Sequence, residues 1–256
     1  MPDAFRHQAA VLGSVLASTL TAWRGTRVVK AAAPPSRLLQ LYDMEGCPYC
    51  RIVREALTAL ALDAQIYPCP KGGKRYRKKA EALSGRMQFP LLVDPNTETA
   101  MLESTAIVDY LFRTYGGGPP PRSYRPGALT GKLAAMATAV RVMRGLRYRP
   151  ARRPRRSLAL WSFESSPYSR LVRERLTELE LPYVLHNLGK EQWADMGPAA
   201  MRLRPGPYRP KPGGRREEVL GRLGRVQVPY LEDPNTGVRM FESADIVDYL
   251  EKQYAL

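Results

Sequence analysis

The sequence predicts an α/β protein made of two tandem copies of one domain, each a βαβ unit followed by a β-hairpin and a helix, and each preceded by an extra helix. Two repeated blocks and the chain length carry this reading. "EGCPYCRIVREAL" at 45–57 returns as "ESSPYSRLVRERL" at 164–176, an offset of 119. "QFPLLVDPNTETAMLESTAIVDYL" at 88–111 returns as "QVPYLEDPNTGVRMFESADIVDYL" at 227–250, an offset of 139. Such self-similarity marks a duplication, and 256 residues suit two domains of ordinary size with linkers.

Charge places the boundaries. The net charge of +16 is not spread over the repeats, because 38–115 carry 10 basic and 9 acidic residues and 157–256 carry 14 of each. Residues 1–37 supply +4, and 116–156 supply +11 with no acid. The chain therefore divides into an N-terminal helix and basic linker (1–37), domain 1 (38–115), a linker helix with an Arg-rich segment (116–156) and domain 2 (157–256). A basic excess outside the domains, with no recognition motif inside them, argues against nucleic acid as a partner.

The elements follow in chain order. "AAVLGSVLASTLTAW" reads as a helix, and its later part, "ASTLTAWRG" at 17–25, recurs as "ATAVRVMRG" at 137–145. A secretory leader has no reason to recur inside a chain, and the basic flank is wrong for cleavage. Leu38–Tyr42 and Leu158–Trp161 read as strands. The repeated motif then opens a helix, whose apolar residues Ile52, Val53, Ala56, Leu57 and Leu60 fall at helical spacing. A second strand is expected near Ala64–Tyr67.

"FPLLVDPNT" and "VPYLEDPNT" read as strands entering an Asp-Pro-Asn-Thr turn, with "AMLES" and "RMFES" as hairpin partners. Ser104 and Ser243 stand where the N-caps of the following helices are expected. The extra residues of copy two fall near "GPAAMRLRPGPYRPKPGG", which reads as a loop. A βαβ unit, a hairpin and a helix make the thioredoxin arrangement, here twice.

In the linker, Leu129, Leu133, Met136, Val140 and Met143 form a narrow apolar stripe, expected to pack against the other extra helix or the domains. Eight arginines from Arg141 to Arg156 follow with no acid among them. An apolar helix with a polybasic segment also suits peripheral contact with an anionic membrane, and the two readings are compatible.

Three cysteines, Cys47, Cys50 and Cys69, are too few for a secreted disulfide framework. A Cys-x-x-Cys pair is redox-active or metal-binding in such a setting. With only His7 and His186 elsewhere, zinc lacks ligands, so no metal is expected. Cys47 stands at a helix start with Pro48 after it, where free N–H groups and the dipole favour thiolate. Cys50, one turn on, is placed to resolve a mixed disulfide.

"CPYC" resembles the dithiol motif of glutaredoxins, and the surrounding elements resemble the N-terminal domain of glutathione transferases, tandem type, without the all-helical domain that usually follows. The resemblance implies that glutathione is the ligand. It implies cis-prolines at Pro90 and Pro229, with Phe89 and Val228 pairing with its cysteinyl part, and Glu103-Ser104 and Glu242-Ser243 binding its γ-glutamyl end. Tyr49, within the motif, is expected among the glutathione-binding residues of domain 1, and a lysine of "KGGKRYRKK" is in reach of the glycyl carboxylate. "SPYS" resembles the serine-type motif, in which Ser166, or Ser169 as the alternative hydroxyl, donates to the glutathione thiolate.

Thiol–disulfide exchange is thus expected of copy one alone, with copy two a second ligand site or a scaffold. The expected activity is glutathione-dependent thiol transfer on glutathionylated or oxidised thiols, in a cytoplasmic setting or at a membrane surface. The alternative is a glutathione-binding, membrane-apposed adaptor with little turnover.

Overall fold

The structure, a computed structural model, describes residues 2–197 and 207–256. Copy one comprises β1 (Leu39–Asp43), α2 (Pro48–Ala59), β2 (Ala64–Pro68), α3 (Arg77–Ser84), β3 (Leu91–Asp94), β4 (Thr99–Met101) and α4 (Ser104–Thr114), preceded by α1 (Pro2–Leu20). Copy two repeats the order as β5 (Leu158–Ser162), α6 (Pro167–Glu178), β6 (Tyr183–Asn187), α7 (Arg215–Leu223), β7 (Tyr230–Asp233), β8 (Val238–Phe241) and α8 (Ser243–Tyr254), preceded by α5 (Ala128–Val140). Half of the segment expected to be a loop in copy two, 198–206, lies outside the described residues; 207–214 carries no helix or strand.

Local chemistry accounts for the elements. Pro48 and Pro167 sit in the first turns of α2 and α6, where a missing N–H costs nothing. Each Asp-Pro-Asn-Thr turn is closed by its own aspartate. Asp94 accepts the Asn96 N–H at 2.8 Å and Asp233 accepts that of Asn235 at 2.8 Å. Tyr110 and Tyr249 donate to the same two carboxylates, each at 2.7 Å, and so tie the hairpins to α4 and α8.

The two copies share one eight-stranded sheet, in the order β4-β3-β1-β2-β6-β5-β7-β8. The join is an antiparallel pairing of β2 with β6 that sets Gln65 opposite Val184, residues related by the duplication offset of 119. A pseudo-two-fold axis therefore runs through the join, and the strand that would be an open edge in each copy is paired. A single hydrophobic core takes Leu39, Leu41 and Ile66 from one copy and Leu158, Leu160 and Leu185 from the other. Smaller clusters around Tyr42 and Trp161 involve α3 and α7.

The extra helices form a further layer, and they are exchanged. α1 packs on α6 of copy two, α5 packs on α2 of copy one, and the two helices pack on each other. The linkers follow suit. Ser165 N–H donates to the Gly25 carbonyl at 3.2 Å, while Gly46 N–H donates to the Gly145 carbonyl at 3.0 Å. Each helix thus packs on the domain that it does not directly precede, and the start of each linker follows it before the chain returns to its own domain, where Val29 N–H donates to the Ala59 carbonyl at 2.7 Å and Arg149 N–H to the Glu178 carbonyl at 2.7 Å.

The apolar stripe of the linker helix does not pack as expected. The buried positions are small residues, Ser14, Ala17 and Ser18 on α1 and Ala134 and Ala137 on α5, with Ser14 and Ser18 accepting hydrogen bonds from Arg170 of α6. Small side chains let helices approach closely, and that rotates Leu129, Met136, Val140 and Met143 into solvent. The Arg-rich run is also partly neutralised, since Arg141 pairs with Glu174 at 2.7 Å and Arg149 with Glu251 at 2.6 Å. Among the described residues, no helix is long and apolar enough to cross a membrane.

Candidate functional site

Cys47 is the N-cap of α2, in extended backbone, and its sulfur accepts the Cys50 N–H at 3.4 Å. A hydrogen bond from the Cys50 thiol, helped by the backbone N–H groups of Cys50 and Tyr49 and by the Arg54 charge, holds the Cys47 thiol below its ordinary value despite burial. Burial, and the electron-rich Cys47 beside it, push the Cys50 thiol well up. The pair is thus split into a sulfur suited to be thiolate and one suited to stay protonated. Tyr49 contributes its N–H, while its phenol ring is exposed. Cys69 is fully buried, and burial raises its thiol far above the ordinary value.

Phe89 packs against a cluster of Met44, Cys47, Cys50 and Leu146, and the Phe89–Pro90 bond is cis. The preceding side chain, Gln88, donates to the Glu103 carboxylate at 2.5 Å. Cysteine pair, cis-proline and Glu103-Ser104 are therefore linked in one run along the domain. Ser104 is not the N-cap expected from the sequence. It is the first residue of α4, and Glu103 takes the cap position with φ 70° and ψ 109°. Ser243 likewise opens α8 after Glu242 at φ 66°.

A positive φ in a non-glycine residue costs on the order of 1–3 kcal/mol and persists where surroundings impose it. Here it places both acids ahead of helices that have no side-chain cap. Uncapped first-turn N–H groups are donors suited to a carboxylate. The residues present thus fit the γ-glutamyl end of glutathione in kind, with donors for its carboxylate and Glu103 for its ammonium.

The cysteine site is completed by the exchanged linker. Leu146 lies against Cys47 and Cys50, its carbonyl accepts the Lys71 N–H at 2.7 Å, and Tyr148 N–H donates to the Lys71 carbonyl at 2.9 Å. Cys47 is left only 9% exposed. Of the basic cluster, Lys71 joins the linker through its backbone while its side chain is exposed, and the Arg77 guanidinium donates to the Cys69 carbonyl at 2.9 Å.

In copy two, Ser166, Val228, Pro229, Glu242 and Ser243 all line one cleft, and the Val228–Pro229 bond is cis. Ser166 is the N-cap of α6 and accepts the Ser169 N–H at 3.3 Å. Gln227 donates to Glu242 at 2.6 Å, repeating the Gln88–Glu103 contact. α1 contributes Val11, Val15 and His7 to the cleft, and His7 Nε2 lies 3.1 Å from the Ser243 hydroxyl. α5 has no counterpart of this contact, because it spans 13 residues against the 19 of α1 and begins beyond the equivalent of His7, which is Gly127.

The shared "Arg-x-Val-Arg-Glu" forms the other half of the design. Arg54 and Arg173 are fully buried where the copies meet, and each binds carboxylates from both. Arg54 pairs with Asp43, with Glu45 at 3.1 Å and with Glu164 at 2.9 Å; Arg173 pairs with Glu45 at 2.9 Å and Glu164 at 3.1 Å. Arg54 also reaches the Met44 carbonyl at 3.5 Å and the Glu45 carbonyl at 3.3 Å, and so grips the loop that leads into Cys47. Sequence reasoning missed these residues, along with Leu146 and His7. The available signal was a set of identical charges recurring at identical helix positions.

The family described as "Glutathione S-transferase, N-terminal domain" matches residues 41–120 and again 160–256. No curated protein and no solved structure matches the chain. Two matches covering most of the chain, each on a thioredoxin-type unit with its cis-proline, settle the family. The chain belongs to the glutathione S-transferase N-terminal domain family and carries that domain twice.

Proposed function

We propose that the chain is a glutathione-dependent thiol–disulfide oxidoreductase acting through Cys47. The observation that carries this reading is the placement of the two sulfurs at the start of α2, where Cys47 caps the helix and accepts the Cys50 N–H at 3.4 Å, an arrangement that holds its thiol down while burial holds that of Cys50 up. The Cys47 thiolate attacks the glutathione sulfur of a mixed disulfide. A Cys47–glutathione disulfide forms, and the substrate leaves as its thiolate. A second glutathione thiolate then attacks the bound glutathione sulfur, which frees Cys47 and yields glutathione disulfide. In the dithiol route, Cys50 loses its proton and attacks Cys47, and reduced glutathione leaves behind a Cys47–Cys50 disulfide.

In this reading the Phe89 backbone beside cis-Pro90 aligns the glutathione cysteinyl unit, and Glu103, Ser104 and the α4 N-terminus take its γ-glutamyl end. Copy two holds a second glutathione, with the Ser166 hydroxyl donating to its sulfur and with Val228, Pro229, Glu242 and Ser243 in the matching roles. It has no sulfur with which to exchange. The site works on glutathionylated or oxidised thiols in a reducing, cytoplasmic setting.

A second reading, a glutathione-binding adaptor with little turnover, draws on the Leu146 cover over Cys47. Turnover of a glutathionylated peptide by wild type, Cys47→Ser and Cys50→Ser separates the two. The oxidoreductase reading requires activity that Cys47→Ser abolishes and Cys50→Ser retains through the monothiol route. Binding of glutathione without turnover in wild type selects the adaptor.

A further inference from the structure

The outer layer presents an apolar face made jointly by both extra helices. On α1, Leu12 and Leu16 are 65% and 58% exposed, and Phe5 is exposed in the same row. At 3.6 residues per turn they lie opposite the packed Ser14, Ala17 and Ser18. On α5, Leu129 and Met136 are 69% and 52% exposed, on the side away from Ala134 and Ala137. Because α1 and α5 pack on each other, their outward sides adjoin. The turn after α5 adds exposed Val142 and Met143.

Charge says what this face fits. Lys132 falls three residues after Leu129 and four before Met136, so it shares their row and is exposed. Exposed Arg6 adjoins Phe5, and exposed Arg144 follows Met143. Arg141 is buried against Glu174 and does not count toward the rim of this face, which Lys132, Arg6 and Arg144 make basic. A second copy of the chain seated here would set one basic rim against another. A lipid surface with anionic headgroups offers acyl chains to the apolar rows and opposite charge to the rim, while lysine stems span the two zones.

We propose that the outer face of the α1–α5 pair docks the protein onto anionic membranes. The contact lies in the interface plane and does not involve the cysteine or serine sites, so it stands independently of the proposed activity. It turns the failed packing of the linker stripe into a binding surface.

The test is cosedimentation of the full chain with vesicles of phosphatidylcholine alone or mixed with phosphatidylglycerol, at low and high salt. Wild type is expected to bind the anionic vesicles about tenfold or more tightly than the neutral ones, and more weakly as salt rises. Leu12→Gln/Leu16→Gln/Met136→Gln changes only exposed positions, so its circular dichroism should match wild type. Its anionic binding should fall by about tenfold or more, from lost apolar insertion. Lys132→Gln/Arg144→Gln should bind severalfold more weakly, with a shallower salt dependence. Equal binding to both vesicles, no binding at all, or undiminished binding by the folded triple variant overturns the proposal. So does a dimer in size exclusion that the triple variant converts to monomer, which would make the face a self-contact.

Discussion

Replacing Arg173 with methionine tests whether the two copies form one body. The guanidinium is buried, donates to Glu45 at 2.9 and 3.0 Å, to the Ser162 hydroxyl at 2.8 Å and to the Glu164 carbonyl at 2.8 Å, and lies 3.1 Å from the Glu164 carboxylate. Methionine keeps much of the volume but leaves Glu45 and Glu164 with Arg54 as their main shared partner. Breaking a buried pair from one side costs about 3–5 kcal/mol. With a urea m-value on the order of 3 kcal/mol/M, the unfolding midpoint falls by about 1 to 1.7 M. Glu45→Gln added to Arg173→Met removes one stranded charge, so the double variant should regain part of the loss. Far-ultraviolet circular dichroism in urea gives all three midpoints. A loss below about 1 kcal/mol for Arg173→Met is the size expected of a solvent-exposed pair and would refute the closed interface.

Three further outcomes follow from the site and the buried charges. Burial raises Asp43 to about 6 against the opposing pull of Arg54, so the folded state holds a proton there that the unfolded chain has released. For Glu45, Arg173 and Arg54 overcome burial and lower the carboxyl to about 2. These two groups make stability rise as pH drops from 7 toward about 5, then fall below about 4.5 as the unfolded chain takes up the proton that Glu45 refuses. Urea midpoints across that range check both signs, and a steady decline on acidification from pH 7 contradicts them.

Leu146→Ala opens the cover over Cys47 and should speed iodoacetamide labelling severalfold, at a cost on the order of 2–4 kcal/mol of stability; Cys69, buried in a separate cluster, serves as the internal control, and an unchanged rate denies the cover. Cys50→Ala removes the main donor to the Cys47 sulfur, so the pH midpoint of Cys47 alkylation should move up. A midpoint that stays put would mean that backbone N–H groups alone set the thiolate.

Much of each domain was legible because repetition and alternation act within a copy. Pro48 and Pro167 announce helices, the Asp-Pro-Asn-Thr turns announce hairpins, and the two copies confirm each other's elements. The join was not legible. Gln65 faces Val184 through backbone hydrogen bonds between two edge strands, and no within-copy pattern encodes that register. Arg54 and Arg173 were hidden for a related reason: charges on an amphipathic helix read as solvent-facing until another body covers them. The linker stripe misled in the opposite direction, since the buried face of each extra helix carries the small residues Ser14, Ala17, Ala134 and Ala137 and the larger apolar ones point outward. The N-caps were read one residue late because nothing in "LES" or "FES" signals a glutamate at positive φ. Leu146 and His7 act on the copy opposite to the one their chain order suggests, so only the exchanged layer reveals them.

The most direct test of Cys47 as the attacking sulfur is intact-protein mass after brief exposure to oxidised glutathione, for wild type, Cys47→Ser and Cys50→Ser. The account predicts one glutathione adduct that accumulates in Cys50→Ser, resolves in wild type to a disulfide within the pair, and is absent from Cys47→Ser. An adduct that persists undiminished in Cys47→Ser would place the reactive sulfur elsewhere and contradict the account.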